Sequence, residues 1–462
     1  MNNINTLSFV NMKTILFFTL LLQACILLAQ TQDPYDAIRQ DVRRGGGVFN
    51  LYNFDTPPSA QAPKGYKAFY ISHYGRHGAR MSSLSTSYDT LLEMLTTAHN
   101  DGNLTHKGET FYQKYLTLYP KLKLRGGDLT TRGQKEHHMI AHRMYNNYKS
   151  VFKKGINVHA RSTNVTRVVM SMYAFLEGLR ECCPDINITS SASVADIIPL
   201  NPFSSSNPDC SPTDVGFANP HAVWMDQLDA FRAKILQPEA FLQNIFKDIK
   251  PIKKIDSYDN VEQFFYEVCC SAQCMENQEL LWDIFDTEEL CHFWEWDNLK
   301  YYLSKGPAPH SNGRQWAFIW RTMQDILDKA DTAFNSPNPV IDLRFGHDII
   351  IISMMTLLDI NGWTDAVKDD EVKNVWTEYR VPMASNLQFV FYKNKKNDIL
   401  VKLMLNEVDQ KLPIPSATAP YYKWEDFRKY AITRIDVAKD ILKNTTPPPK
   451  KAHPRARVSS LG

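Results

Sequence analysis

Three strand-like runs that lie far apart in the chain each end on charged or titratable residues: "KAFYISHYGRHGAR" at 67–80, "GINVHARST" at 155–163 and "PVIDLRFGHD" at 339–348. Each run gives way to helical spacing or a turn into it, and strand followed by helix, repeated, predicts an α/β fold. After the second run, Val168, Val169, Met172, Leu176 and Leu179 of "NVTRVVMSMYAFLEGL" fall on one helical face. The third run leads through a turn at Gly346 into an apolar helix reaching Asn361-Gly362. "TSYDTLLEMLTTAHN" and "KGETFYQKYLTLYPKL" have helical spacing too, and "LTTRGQKEHHMIAHRMYNNYKSVF" opens with Thr131 and Gln134 at capping-box positions. "SNLQFVFYKN" and "DILVKLMLNE", joined by the polar "KKND", predict a β-hairpin.

Between these parts the pattern changes to loops rich in Ser, Pro and Asn and to long helical runs such as "NVEQFFYEVCCSAQ". The expected division is a signal segment over 1–29, a first α/β core part over 30–182, a mostly helical cap over 183–339, a second core part over 340–443 and a disordered tail over 444–462. The first segment holds one charged residue, Lys13, before Asp33, and an apolar run before the polar "TQDPYD", which predicts export. Cleavage is placed near Ala29 rather than at a lipidated Cys25, because the apolar "ILLA" after Cys25 continues the signal core. Seven cysteines remain, Cys182, Cys183, Cys210, Cys269, Cys270, Cys274 and Cys291, enough in an exported chain for three disulfides and one free thiol. A metal site from "CCSAQC" and His292 is disfavoured for want of paired CxxC elements. His73 and the pair His137-His138 read as surface or packing residues.

A net charge of +2 over 462 residues excludes a nucleic-acid binder working through bulk charge, so any basic site is local. Ligands of open α/β sheets bind beyond the carboxyl ends of the strands. If the sheet brings the three ends together, the site holds Arg76, Arg80 and Arg161 with His77, His347 and Asp348. Cations packed this tightly repel one another unless an anion lies between them, so the cluster predicts an anion or a solvated surface turn, and guanidinium forks match phosphate. Three arginines around one histidine describe a phosphate pocket with a nucleophile in its floor.

"RHGAR" at 76–80, "LTTRG" at 129–133, "RSTNVTR" at 161–167 and "HD" at 347–348 resemble, in order, the motifs of the histidine acid phosphatases. These form the second branch of the histidine phosphatase superfamily, which includes phytases and multiple inositol polyphosphate phosphatases. The resemblance implies a phosphoglycerate-mutase-like core sheet flanked by helices, with a cap inserted. It implies that His77 attacks phosphorus, that Arg76, Arg80, Arg161 and His347 hold the phosphoryl oxygens, and that Asp348 protonates the leaving oxygen. Thr163 reads as a cap of the next helix, and Arg167 carries no assigned role. Gly75 and Gly78 let backbone approach the anion, with a helix expected directly after Gly78. No cofactor or metal is implied; the partner is a small phosphorylated substrate, with no nucleic acid, no membrane span in the mature chain and no oligomeric state specified.

The sequence departs from the family pattern where Asp348 precedes Ile349, since phytases of this branch continue the pair with Thr-Asn and the inositol polyphosphate phosphatases carry His-Ala-Glu. Substrate range therefore stays open. The expectation is an exported phosphomonoesterase with an acid-leaning optimum, acting on inositol polyphosphates or other small phosphate esters. The alternatives are a broad acid or sugar phosphatase, a phosphohistidine phosphotransferase or mutase, and a silent phosphate-ester binder.

Overall fold

The computed structural model describes residues 33–445 apart from Leu84, 211–213, 215–221, Val223 and 338–339. The signal segment over 1–29, Cys25 and nearly all of the tail lie outside the described residues. The strands are β1 (Lys67–Arg76), β2 (Asn157–Ser162), β3 (Asn187–Ser191), β4 (Val340–Gly346), β5 (Asn386–Lys393), β6 (Ile399–Leu405), β7 (Val408–Asp409) and β8 (Tyr421–Lys423). They form one sheet in the order β3-β2-β4-β1-β5-β6-β7, with β8 beside β6. The first four run parallel, and β5 to β8 pair antiparallel. Parallel strands need helical crossovers. The β5–β6 hairpin turns through "KKND" as its sequence predicts.

The helices used below are α1 (Pro34–Gln40), α2 (Ser85–Asn100), α3 (His106–Leu122), α4 (Thr131–Asn147), α5 (Thr166–Cys182), α6 (Val194–Leu200), α7 (Met225–Ile235), α8 (Pro238–Ile245), α9 (Tyr258–Gln273), α10 (Thr287–Lys305), α11 (Trp320–Phe334), α12 (Asp348–Leu357), α13 (Val372–Val375) and α14 (Trp424–Asn444). Side chains alternate across the sheet. Ile71, Val158, Ala160, Ile341 and Leu343 face α4 and α5, while Tyr70, Tyr74, Phe389 and Phe391 face the opposite side, covered by α11 and α14. In α14 the buried residues are Trp424, Phe427, Ala431, Ile435 and Ala438, a helical stripe that the sequence reading passed over. Phe334 and Trp424 seat their rings 5.3 Å apart against Phe391.

The helical unit draws on more of the chain than the 183–339 segment. Asn187–Ser191, inside that segment, is the edge strand β3, paired in parallel with β2, and α11 covers the sheet. Conversely α2 and α3 pack on α9 and α8. Phe111 and Phe265 lie 5.0 Å apart, and Thr105 donates its amide to the Ile245 carbonyl at 2.9 Å. Helical spacing shows that a helix exists but not which helix covers its apolar face. The β3 segment is short, polar and at the edge, where alternation is weakest.

Against the expectation of up to three disulfides and one free thiol, all seven cysteines are free thiols, five of them buried. Cys269, Cys270 and Cys274 all lie on or at the end of α9, where the helix turns the adjacent Cys269 and Cys270 to different sides. The cap of α4 is Thr130 rather than Thr131: its hydroxyl accepts the Gly133 amide. No helix directly follows Gly78; the next helix, α2, begins at Ser85.

Candidate active site

The three strand ends do meet. β4 lies between β2 and β1, with Arg161 level with Arg344 and Arg76 level with Gly346. At the end of β1 the backbone of His77 is held on both sides, its amide donating to the Gly346 carbonyl at 3.0 Å and its carbonyl accepting from Ala384 at 2.9 Å. The following turn rests on the start of α4. A Cβ on Gly78 would come within 2.3 Å of the Gly133 carbonyl oxygen, and one on Gly133 within 2.3 Å of the Ala79 oxygen, so only glycine lets the two backbones touch. Buried Glu136 accepts the Ala79 amide at 2.8 Å, and the Thr130 hydroxyl donates to the Ala79 carbonyl at 2.9 Å. Burial raises the Glu136 carboxyl to about 7.

Above this floor the side chains converge. The His77 Nδ1 lies 3.0 Å from the Gly78 carbonyl. A carbonyl can only accept, so Nδ1 carries the proton and Nε2 keeps its lone pair. Burial, then the charges of Arg76, Arg167 and Arg80, hold His77 well below the usual imidazole range; it is neutral, as a nucleophile must be. Arg76 is fully buried, anchored through Nη1 to the carbonyls of Val48 and Val381 at 2.5 and 3.0 Å. Its Nη2 meets Asp348 Oδ2 at 2.8 Å. Arg80 lies with its guanidinium 4.7 Å from the Phe49 ring centre and donates to the Met81 carbonyl at 2.8 Å.

His347 caps α12 and Asp348 is its first residue, so the helix N-terminus that reaches the site belongs to α12. The rings of His77 and His347 stand edge to face with centres 5.8 Å apart. Burial and then Arg167 lower His347 to about 4. Burial pushes Asp348 up, yet Arg76, His347 and Arg80 outweigh it and the carboxyl sits below its ordinary range. Asp348 is therefore ionised at neutral pH beside Arg76. Tyr301 of α10 is buried and feels the charges of Asp348, Arg76 and Arg80, which places the helical unit against the pocket.

Arg161 is the one sequence-selected residue turned elsewhere. It forms a two-pronged pair with Asp325 of α11, at 3.1 and 2.6 Å. Arg344 shares the same carboxylate at 2.7 Å. Arg167, second residue of α5, acts instead on His77, His347 and Asp348, and remains cationic although burial lowers it to about 10. Thr163 does not cap α5, whose cap position is Val165; its hydroxyl lies 3.4 Å from His347 Nε2. The signal available for Arg167 was its place in the first turn of a helix that follows a strand of an open sheet, where helix starts abut the ligand.

The family described as Histidine phosphatase superfamily (branch 2) matches residues 75–406. The chain belongs to this family. Among solved structures it is similar to the multiple inositol polyphosphate phosphatase of Bifidobacterium longum in complex with phosphate, at 17% identity and a TM-score of 0.69, covering 85% of this chain and 98% of that one. The same Bifidobacterium longum enzyme in complex with inositol hexasulfate gives 18% identity and a TM-score of 0.67, covering 83% and 97%. The phytase from D. castellii gives 14% identity and a TM-score of 0.65, covering 85% of each chain. No curated protein matches the chain in sequence. These structural likenesses establish a shared fold, the helix-flanked mixed sheet of the histidine phosphatases, and membership of branch 2 makes the protein a phosphatase.

Proposed function

We propose that this phosphatase hydrolyses phosphate monoesters through a phosphohistidine on His77, with inositol polyphosphates as its substrate class. The observation that carries the reading is the pairing of a neutral, Nε2-free His77 with buried Arg76 and Asp348 at the carboxyl ends of the central strands. The His77 Nε2 lone pair attacks phosphorus and the ester P–O bond breaks. The electron pair leaves with the alcohol oxygen, which takes a proton from Asp348. Water then attacks the phosphoryl group, returns a proton to Asp348 and frees His77 and inorganic phosphate. Arg76, Arg80 and Arg167 surround the oxygens on which charge gathers, assisted by His347.

Asp348 must be protonated to act as the acid, and it is ionised beside Arg76 before substrate arrives. A phosphate dianion competes for Arg76 and adds its own negative charge, and both changes raise the proton affinity of Asp348. The acid is thus loaded with its proton by the substrate it serves. Its low starting value favours an optimum on the acid side. Export rests on the 1–29 segment; no helix among the described residues is long and apolar enough to cross a membrane.

The test is inorganic phosphate release from phytate, glucose 1-phosphate, nucleoside monophosphates and p-nitrophenyl phosphate. Preference for phytate is expected. Equal rates across all four would replace the inositol reading with a broad acid phosphatase, and phosphoryl transfer to an added alcohol faster than to water would replace hydrolysis with transfer.

A further inference from the structure

His138 and His142 are one turn apart on α4, so their side chains share a face. That face meets the last turn of α5, where Glu181 lies. The Nε2 atoms of both histidines point at the same carboxylate oxygen, Oε2 of Glu181, at 2.9 and 3.0 Å. The imidazole centres stand 4.5 Å apart, and the three ligand atoms lie within 4.8 Å of one another. The helices approach closely just here because position 178 has no side chain: a Cβ on Gly178 would come within 2.8 Å of the His138 carbonyl oxygen.

We propose that His138, His142 and Glu181 bind one divalent transition-metal ion of the zinc class. Two imidazoles and a carboxylate are a borderline donor set that suits zinc rather than calcium or magnesium, which take oxygen ligands only. Tetrahedral bonds of about 2.1 Å separate ligand atoms by roughly 3.4 Å, so the two histidine–glutamate spacings of 2.9 and 3.0 Å have to open by only about half an ångström. Side-chain exposures of 31% for His138, 37% for His142 and 52% for Glu181 leave a fourth position to water and a path for the ion. Metal binding through Nε2 requires the Nε2 lone pair, so each bound imidazole carries its proton on Nδ1.

The ion would sit apart from the chemistry. α4 and α5 both begin at the pocket, α4 with the cap and glycine that support the His77 turn and α5 with Arg167. Glu181 lies near the far end of α5, roughly 20 Å along it. Metal here fastens the two helices to each other, and its effect is on stability rather than on the phosphoryl step.

Isothermal titration of the purified chain with zinc chloride should show one saturable site, and the melting temperature should rise with zinc. The double variant His138→Gln/His142→Gln and the single, exposed Glu181→Gln should each weaken binding at least tenfold while leaving phosphatase activity unchanged. Cobalt substitution should give d–d bands without a thiolate charge-transfer band. Absence of saturable binding, binding undiminished in Glu181→Gln, or a thiolate band pointing to the neighbouring Cys182 and Cys183 would each overturn the assignment.

Discussion

Arg76 and Arg161 occupy the same kind of place, the carboxyl end of a parallel strand, on the two strands that flank β4. Each meets one aspartate, Arg76 with Asp348 at 2.8 Å and Arg161 with Asp325 at 2.6 Å. The fates differ because the partners differ. Asp348 opens a helix at the pocket and holds a single arginine, so a phosphate can take its place on Arg76. Asp325 belongs to α11, is shared with Arg344, and is held well below the usual carboxylate range by Arg344 and Arg161 against the opposing effect of burial. In the proposed mechanism the first pair is exchangeable and the second is structural. What separates them is the element that approaches from across the sheet.

The largest expected effect lies at the exchangeable end. His77→Ala should abolish turnover with the fold retained, and labelled substrate quenched on the wild type should leave acid-labile phosphate on His77. Activity of the variant within tenfold of wild type would remove the nucleophile assignment. Asp348→Asn keeps the shape and removes the proton. It should slow alkyl esters by about two to four orders of magnitude while p-nitrophenyl phosphate, with its better leaving group, loses far less. Equal losses would leave Asp348 as no more than the first residue of α12.

The comparison itself is broken or kept by the arginines six residues apart in "RSTNVTR". Arg167→Ala should reduce kcat by about two to three orders of magnitude with little change in melting temperature. Arg161→Ala should do the reverse, costing about 2 kcal/mol of stability through the lost charged hydrogen bonds while the folded fraction turns over normally. If Arg161→Ala loses activity without stability, the sequence reading of Arg161 is restored.

A smaller effect concerns His73, buried between Phe175 and Phe345 with ring centres at 5.2 and 5.5 Å. Burial, then His137 and Arg344, lower it from 6.5 to about 3. The unfolded chain therefore takes up a proton below about pH 6.5 that the folded chain refuses, and stability falls as pH drops through that window. Relative to His73→Phe, wild type should lose up to about 1.4 kcal/mol per pH unit on acidification, read from urea unfolding at about pH 5 and about pH 8. A difference that does not change with pH would mean that His73 titrates normally. The smallest effect is none at all: EDTA should leave turnover unchanged, because arginines supply the charge that a metal supplies elsewhere. Inactivation reversed by added metal would overturn the mechanism.

The fold was legible because the periods were. Strand ends bearing "GRHGAR", "HARST" and "FGHD" announced themselves locally, and a parallel sheet has few ways to arrange three of them. Arg161 and Arg167 could not be separated that way. The choice depends on Asp325, distant in sequence, and on the turn from β2 into α5, which aims the first helical turn back at the pocket. His138 escaped because the eye falls on the adjacent pair His137-His138, whose members lie on different sides of α4: His137 is buried near Phe345 and Phe175. The informative partner was His142, four residues on. The division at 183 blurred because α2 and α3 have the spacing of sheet-covering helices and pack on α9 and α8 instead.

The contact between Gly78 and Gly133 bears on where motion occurs in a catalytic cycle. A side chain in that gap would be a spring, able to change rotamer as phosphorus bonds to His77 and then leaves. Backbone against backbone has no rotamers, and the His77 peptide is tied to Gly346 and Ala384 besides. In the proposed reaction His77 is an anvil, its peptide tied and its ring held through Nδ1 to the Gly78 carbonyl, so the distance closed between nitrogen and phosphorus, and opened again on release, is travelled by the phosphoryl group and the alcohol attached to it. Room for that travel has to come from the helical side of the pocket, where α10 presents Tyr301.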